Sequence, residues 1–400
     1  MAQGAAVGLD RRGMAVVSSA HALADCCQAA VPALLPFLIA AKGWGYATAS
    51  ALVLAGTVAS SVVQPIFGLL ADRRSLAWMM PAGIFLAALF VGLAAIAPSY
   101  ELTFAAVVAS GLGVAAFHPE GSRYANYLSG SRRATGMSVF SLGGNAGFAL
   151  GPALVTPAVA LLGLRGALVI TVPAAAVALW VAVELPRLSR FRPARPLAGA
   201  GGAGRAAAED DWGAFGRLGV VIAARTFLFW GMLTFVPLYF VDVLHRSKET
   251  GNSALVVFLV GGAVGTLIGG RLADRIGRRP VVIGSLTLAS PLVLLFLAAP
   301  AALATPLLFV IGAAVISSFA VTVVMGQEYL PSRIGVASGV TLGLAIGLGG
   351  IGAPLLGLLA DAQGLGAALM VAGLLPLIGV AATLTLPSDA SRARSRPAAA

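Results

Sequence analysis

Polar side chains interrupt a largely apolar run near the start of the chain, among them Ser18, His21, Asp25 and Gln28. Their steps of three, four and three put them on one face of a helix. A carboxylate deep in an apolar helix is costly unless it lines a cavity, meets a cation or holds a proton, so Asp25 is a candidate for proton coupling or substrate binding. His21 has two open readings: a partner in that chemistry, or a side chain near the end of the run that hydrogen-bonds a neighbour. A second group lies in Phe117-His118-Pro119-Glu120-Gly121-Ser122-Arg123. Pro119 has no N–H to give a helix and frees a carbonyl one turn back. A break is therefore expected there, clustering His118, Glu120 and Arg123; the alternative is an exit elbow where Glu120 and Arg123, three apart, form a surface pair. Arg225 stands alone in a third apolar run, followed by Phe227, Phe229, Trp230, Thr234 and Tyr239. A mid-membrane arginine either pairs with a carboxylate, Asp25 being the depth-matched candidate, or attracts an anion. The aromatic residues either line a cavity or pack between helices. Asn145, Gln327 and Glu328 are further polar positions, Glu328 close to a membrane surface.

The elements that carry these residues follow from composition. The 400 residues are 59% hydrophobic and 10% charged, with a mean hydropathy of +0.94. A water-soluble domain carries about 25% charged residues, so lipid is the main solvent here. Each crossing needs roughly 20 mainly apolar residues, and the chain offers twelve. They fall at 14–41, 47–71, 77–97, 101–128, 133–161, 164–185, 216–243, 251–273, 280–299, 303–329, 333–360 and 364–386. The predicted fold is all-α: an N-terminal six-helix repeat over 1–185, a linker over 186–215, a C-terminal repeat over 216–386 and a disordered tail over 387–400. Arg11-Arg12 precedes the first run as in a signal peptide, but Met14 to Ala41 is too long for one and is expected to be retained. Pro32 and Pro36 in its outer half are expected to kink it.

Charge sets the orientation. Of the 26 lysines and arginines, Lys42, Arg165, Arg246 and Lys248 fall on one side and Arg225 inside a span, while all the rest fall on the other. That bias predicts cytoplasmic N- and C-termini. The net charge of +11 has no clustered basic domain with interleaved aromatics, so nucleic acid is not an expected partner. Adjacent Cys26 and Cys27 in an apolar run indicate neither a disulfide framework nor a metal site. No phosphate-binding loop, metalloprotease motif or nucleophile elbow is present, and the expected cofactor and metal content is none.

One stretch occurs twice. Gly68-Leu69-Leu70-Ala71-Asp72-Arg73-Arg74 returns as Gly270-Arg271-Leu272-Ala273-Asp274-Arg275, followed by Ile276-Gly277-Arg278-Arg279; Gly68 and Gly270, Asp72 and Asp274, and Pro152 and Pro354 are each 202 positions apart. A duplication of half the chain is the simplest source. Each copy ends an apolar run in a charged turn, whose aspartate is expected to cap the next helix or pair with an arginine. The strings Gly261-Gly262 and Gly347 to Gly352 are expected to serve close helix packing.

Two six-helix repeats with this turn after spans two and eight resemble the major facilitator superfamily, the turns being similar to its motif A and Gly144-Asn145-Ala146-Gly147 to Pro152 to its fifth-helix motif. The first copy departs from the pattern, with Ser75-Leu76 where Gly-Arg-Arg is expected. His21, Asp25, Gln64-Pro65, Phe117-His118-Pro119-Glu120, Gly143-Gly144-Asn145, Arg225, Thr234 to Tyr239 and Gly261 to Thr266 together resemble the fosmidomycin resistance family. The resemblance implies a secondary transporter of the inner membrane that exports a small anionic drug or metabolite in exchange for protons. His21, Asp25, Gln28, His118, Glu120, Arg123, Asn145 and Arg225 are then the candidate coupling or substrate residues. Gly68, Asp72, Arg73, Gly270, Asp274, Arg275 and Arg278 are the candidate gating residues. The expected partners are a small molecule, protons and the bilayer, with the chain a monomer. Two other readings fit the motifs: an importer of a small metabolite, and a non-transporting receptor or scaffold.

Overall fold

The computed structural model describes residues 8–73, 76–130, 132–191, 210–331 and 334–387, and leaves the side chains at 65, 68, 69, 71–73, 133–135, 334–336, 338, 339 and 342–346 outside that description. The described residues are almost wholly helical. In order they form α1 (Arg11–Lys42), α2 (Tyr46–Arg73), α3 (Met79–Ile96), α4 (Tyr100–Leu128), α5 (Arg133–Leu162), a 3-10 helix (Gly163–Ile170), α6 (Thr171–Leu188) and a 3-10 turn (Ser189–Phe191). Then come α7 (Trp212–Asp242), α8 (Lys248–Ile276), α9 (Arg278–Ala298), α10 (Ala301–Ser317), α11 (Phe319–Tyr329), α12 (Ile334–Gln363), α13 (Leu365–Leu374) and α14 (Pro376–Leu384). Ten helical segments among the described residues are long and apolar enough to cross a membrane. The chain divides into two compact units, Met1–Trp44 with Thr48–Ala198, and Gly45–Ala47 with Gly199–Ala400.

Three expected spans are less regular than their apolar runs suggest. Gly163 takes φ +62°, a conformation that ends α5 and costs glycine little, so the sixth span opens with a 3-10 stretch. The tenth span is divided at Ser318, whose hydroxyl bonds the carbonyl of Val315 at 3.3 Å and receives the Ser285 hydroxyl at 3.0 Å. The last divides before Pro376, which has no N–H to continue the preceding helix. Conversely, Pro119 does not break its helix: α4 runs through it, as α1 runs through Pro32 and Pro36. In a packed membrane helix, neighbouring groups can take up what a proline leaves unbonded.

Within the first unit α1 is central: 89% of its apolar stretch is buried, against 33% in the segment Gly136–Phe191 that holds most of α5 and all of α6. Lipid tails are as apolar as leucine, so helices in a bilayer gain little from hiding leucine and associate instead by close backbone approach. Glycine supplies that approach. Gly143, Gly147 and Gly151 of α5 lie against the backbone of Ser18, Ala22 and Cys26 of α1, so two rows of four-residue steps interlock. In the second unit, Gly261, Gly265 and Gly269 of α8 lie in the same way on Phe309, Ala313 and Ser317 of α10. A Cβ at position 147 would stand 2.9 Å from the Cα of Ala22, closer than real packing allows. Gly147→Leu is therefore expected to cost about 1–3 kcal/mol or more, seen as a lower unfolding temperature and a lower membrane yield. Gly216→Leu, at a site with nothing within 4 Å, is the matched control and should change neither.

The duplication is also written in hydrogen bonds. Asp10 caps α1 by accepting from Gly13 N–H at 2.5 Å, and its own N–H donates to the Leu128 carbonyl at 2.9 Å. Asp211 caps α7 by accepting from Ala214 N–H at 2.8 Å, and donates to the Tyr329 carbonyl at 2.8 Å. Both pairs of positions are 201 apart, one fewer than the repeated turn, so one extra residue lies between Asp211 and Gly270 and one fewer between Gly270 and Tyr329. Each unit thus caps the start of its most buried described helix with an aspartate side chain and ties it to the end of the fourth span by that aspartate's backbone N–H.

Candidate proton and anion sites

Asp25 is buried on α1, and its two carboxylate oxygens face two imidazoles. His21 Nε2, one helical turn earlier, lies 3.3 Å from Oδ2, and His118 Nε2, from α4, lies 3.3 Å from Oδ1. Each ring is held from behind. His21 Nδ1 is 2.8 Å from the Phe140 carbonyl of α5, and His118 Nδ1 is 2.9 Å from the Val114 carbonyl. A carbonyl only accepts, so both Nδ1 atoms carry hydrogen. In the neutral ring each Nε2 would then turn a lone pair toward a carboxylate oxygen. The contact is attractive only when a hydrogen lies between them, so the triad has two positions for exchangeable protons. His21 also stacks on Phe140, with centroids 4.1 Å apart, and meets His118 edge-on at 5.2 Å.

Glycine makes the packing around the triad possible. A Cβ at Gly144 of α5 would stand 2.5 Å from Asp25 Oδ2 and 2.7 Å from His21 Nε2. Gln28, on the same face of α1, donates to the Ser60 hydroxyl of α2 at 3.2 Å and does not join the triad. Asn145 is half-buried on α5. Sequence spacing missed the convergence of His118 on Asp25. It grouped His118 with Glu120 and Arg123 at an expected helix break, whereas the unbroken helix points His118 and Glu120 in different directions.

Glu120 is 3% exposed, so the surface elbow is corrected along with the break. Its carboxylate accepts from the Leu76 N–H at 3.3 Å and lies 3.6 Å from Arg123. Leu76 follows the first repeated turn. After the second turn, Arg278 pairs with Glu328 at 3.0 Å. Each unit therefore uses a glutamate near the end of its fourth span to hold the chain just beyond the repeated turn. Glu120→Gln is expected to slow transport about fivefold, the weight of roughly 1 kcal/mol for one weakened hydrogen bond, with substrate affinity unchanged. Transport assays with a parallel binding measurement separate this from a cavity role, which would abolish transport.

In the second unit Arg225 of α7 is 4% exposed. Its guanidinium lies over the Phe319 ring, 5.0 Å from the centroid, and its Nε has no hydrogen-bond partner. Among the described residues Arg225 forms no salt bridge, and Asp25 is engaged by the two histidines of its own unit. The aromatic neighbours of Arg225 are packing elements: Phe227 and Trp230 rest on Gly352 and Gly349 of α12, Phe229 on Phe258, and Tyr239 beside Phe296. Asp274 is exposed and, among the described residues, neither caps α9 nor pairs with an arginine, contrary to expectation; the residue before α9 is Gly277, at φ +92°. Arg275 is exposed, and nothing lies within 4 Å of where a Cβ of Gly270 would be. The side chains of Gly68, Asp72 and Arg73 lie outside the described residues.

The family model for the Major Facilitator Superfamily matches residues 17–351 and 244–400. The chain belongs to the major facilitator superfamily. This facilitator is 35% identical over 382 residues to the uncharacterized MFS-type transporter YfnC of Bacillus subtilis (strain 168), covering 94% of this chain and 92% of that one. It is 30% identical over 383 residues to the fosmidomycin resistance protein of Escherichia coli (strain K12), with 94% and 93% covered. Its fold is similar to that of a bacterial homologue of the human lysosomal transporter Spinster in an inward-facing and occupied conformation. That match has a TM-score of 0.78 at 14% identity over 97% of this chain and 98% of that one. The nucleoside transporter NupG matches with a TM-score of 0.70 at 15% identity, covering 94% and 99%. The protein is a multi-pass membrane transporter.

Proposed function

We propose that this facilitator is a proton-coupled antiporter of the inner membrane that exports a small anionic drug or metabolite, such as fosmidomycin. Its termini are cytoplasmic and it works as a monomer. The observation that carries the reading is the triad: a buried carboxylate between two imidazoles whose far nitrogens are committed to backbone carbonyls. Such a cluster takes up hydrogen between its members and gives it up again when the gradient is reversed. Arg225 holds the anion, since its buried guanidinium has an aromatic face but no carboxylate among the described residues. The relative named for fosmidomycin resistance supports the substrate class. The turns Gly68-Asp72-Arg73 and Gly270-Asp274-Arg275-Arg278 serve gating, with Glu120 and Arg123 bracing the first.

Inverted membrane vesicles containing the protein test this directly. An acidic interior is expected to drive fosmidomycin accumulation, and a protonophore to abolish it. Accumulation driven only by an alkaline interior, or indifferent to the gradient, would overturn the antiport reading.

A further inference from the structure

We propose that His21, Asp25 and His118 form a binding site for one divalent transition-metal ion, with Zn²⁺ the best fit, and that the ion takes the place of the two triad protons. Zinc bound by imidazole and carboxylate at about 2.0–2.2 Å in a tetrahedron has neighbouring ligand atoms about 3.4 Å apart. The two nitrogen-to-oxygen separations here are both 3.3 Å, one to each oxygen of the Asp25 carboxylate, so the carboxylate offers either ring an edge of that length. One ligand atom from each of the three residues lies within 4.8 Å of the others, and a small movement of the rings onto a shared carboxylate oxygen closes the set.

The orientation of the rings is the second support. A histidine that ligates a metal donates its other ring N–H to a carbonyl or carboxylate, which fixes the tautomer and aims the lone pair. Both histidines do so, through Phe140 and Val114. Charge is the third. One carboxylate and two neutral imidazoles carry −1; two protons bring the cluster to +1, and so does one dication. The exchange of two protons for Zn²⁺ leaves the net charge held among the surrounding helices unchanged. Gly144 keeps one flank clear, since a Cβ there would crowd both Asp25 Oδ2 and His21 Nε2. Oxygen-preferring Mg²⁺, which favours six oxygen ligands, is excluded by the two nitrogens.

The proposal stands apart from the transport reading, because binding is measured without transport. Purified full-length protein in detergent is titrated with ZnCl₂ by calorimetry, with CoCl₂ as a spectroscopic probe and MgCl₂ as control. One equivalent of Zn²⁺ is expected to bind, Co²⁺ to develop visible bands of a tetrahedral site, and Mg²⁺ to give no heat. Loss of an outer-shell partner already costs a metal site about 10–100-fold, so Asp25→Asn, His21→Gln and His118→Gln should each weaken binding at least tenfold. His245→Gln, which alters the remaining one of three histidines, and Cys26→Ser should leave it intact. Gly144→Ala, which retains every ligand, should also weaken it, guarding against a ligand variant that fails to fold. No binding by wild type, or binding kept by all three ligand variants, would overturn the site and leave proton coupling standing. Loss on His245→Gln would do the same by moving the metal elsewhere.

Discussion

Asp25→Asn is expected to abolish proton-driven flux while the protein still folds and binds its substrate. The reason lies in what an amide can offer the two imidazoles. Its NH₂ donates to the Nε2 lone pair of one ring, whose Nδ1 hydrogen stays on its carbonyl, so one of the two 3.3 Å contacts stays filled and the side chain keeps its volume. The fold is therefore spared. The negative charge that stabilises an imidazolium inside the bilayer is gone, however, and the amide itself has no proton to release. Vesicles carrying the variant should show gradient-driven fosmidomycin movement no greater than vesicles without the protein, with binding to the purified variant retained. Undiminished gradient-driven flux in Asp25→Asn would sink the assignment. His118→Gln should reduce coupling too, since it removes one of two hydrogen positions while leaving the other.

The second large effect is expected at Arg225. A guanidinium offers five donors in a planar fork, and its bonds to a phosphonate or carboxylate are charge-assisted. Removing one member of a buried, hydrogen-bonded charge pair costs about 2–5 kcal/mol, at least thirtyfold in affinity at the low end. Arg225→Ala should weaken fosmidomycin binding by that much, measured by calorimetry on purified protein, with Zn²⁺ binding unchanged. Arg225→Lys retains the charge but loses the fork and the guanidinium's contact with the Phe319 ring, so it should recover part of the affinity and not all. Normal substrate affinity in Arg225→Ala would remove the arginine from the site.

How much of this was legible beforehand depends on whether a feature is local. The polar face of α1 is a matter of helical period, and His21 and Asp25 do meet as their spacing requires. The meeting of His118 with Asp25 was hidden because the sequence displays Pro119 more prominently than the rotation of the residue before it. A proline read in isolation predicts a break; inside a packed bundle the helix continues and His118 turns toward α1. Gly143, Gly147 and Gly151 were visible as part of a motif, but the backbone they rest on belongs to another helix. The acceptors of the two Nδ1 hydrogens are main-chain carbonyls, which have no signature in side-chain identity. Arg225 was correctly placed in an apolar run, whereas its contact with Phe319 joins positions far apart in the chain. Asp274 shows the opposite failure: a motif led to an expected cap, and the helix it precedes starts without one.

The partnership of Asp25 with His118 has a consequence for how the protein is made. Ribosomes add about 5–20 residues per second, and 93 positions separate the two residues. For about 5–20 s, then, α1 exists without the second imidazole, and the carbonyl of Phe140 that orients the first arrives later still. During that interval His21, already built one turn before Asp25, is the sole triad member able to shield the carboxylate from lipid. His21 is then expected to serve as an escort in biosynthesis besides its place in the finished transporter. His21→Gln should lower the amount of protein inserted during synthesis more than His118→Gln does, as read by pulse-labelling of the membrane fraction, even where the two purified variants are equally stable.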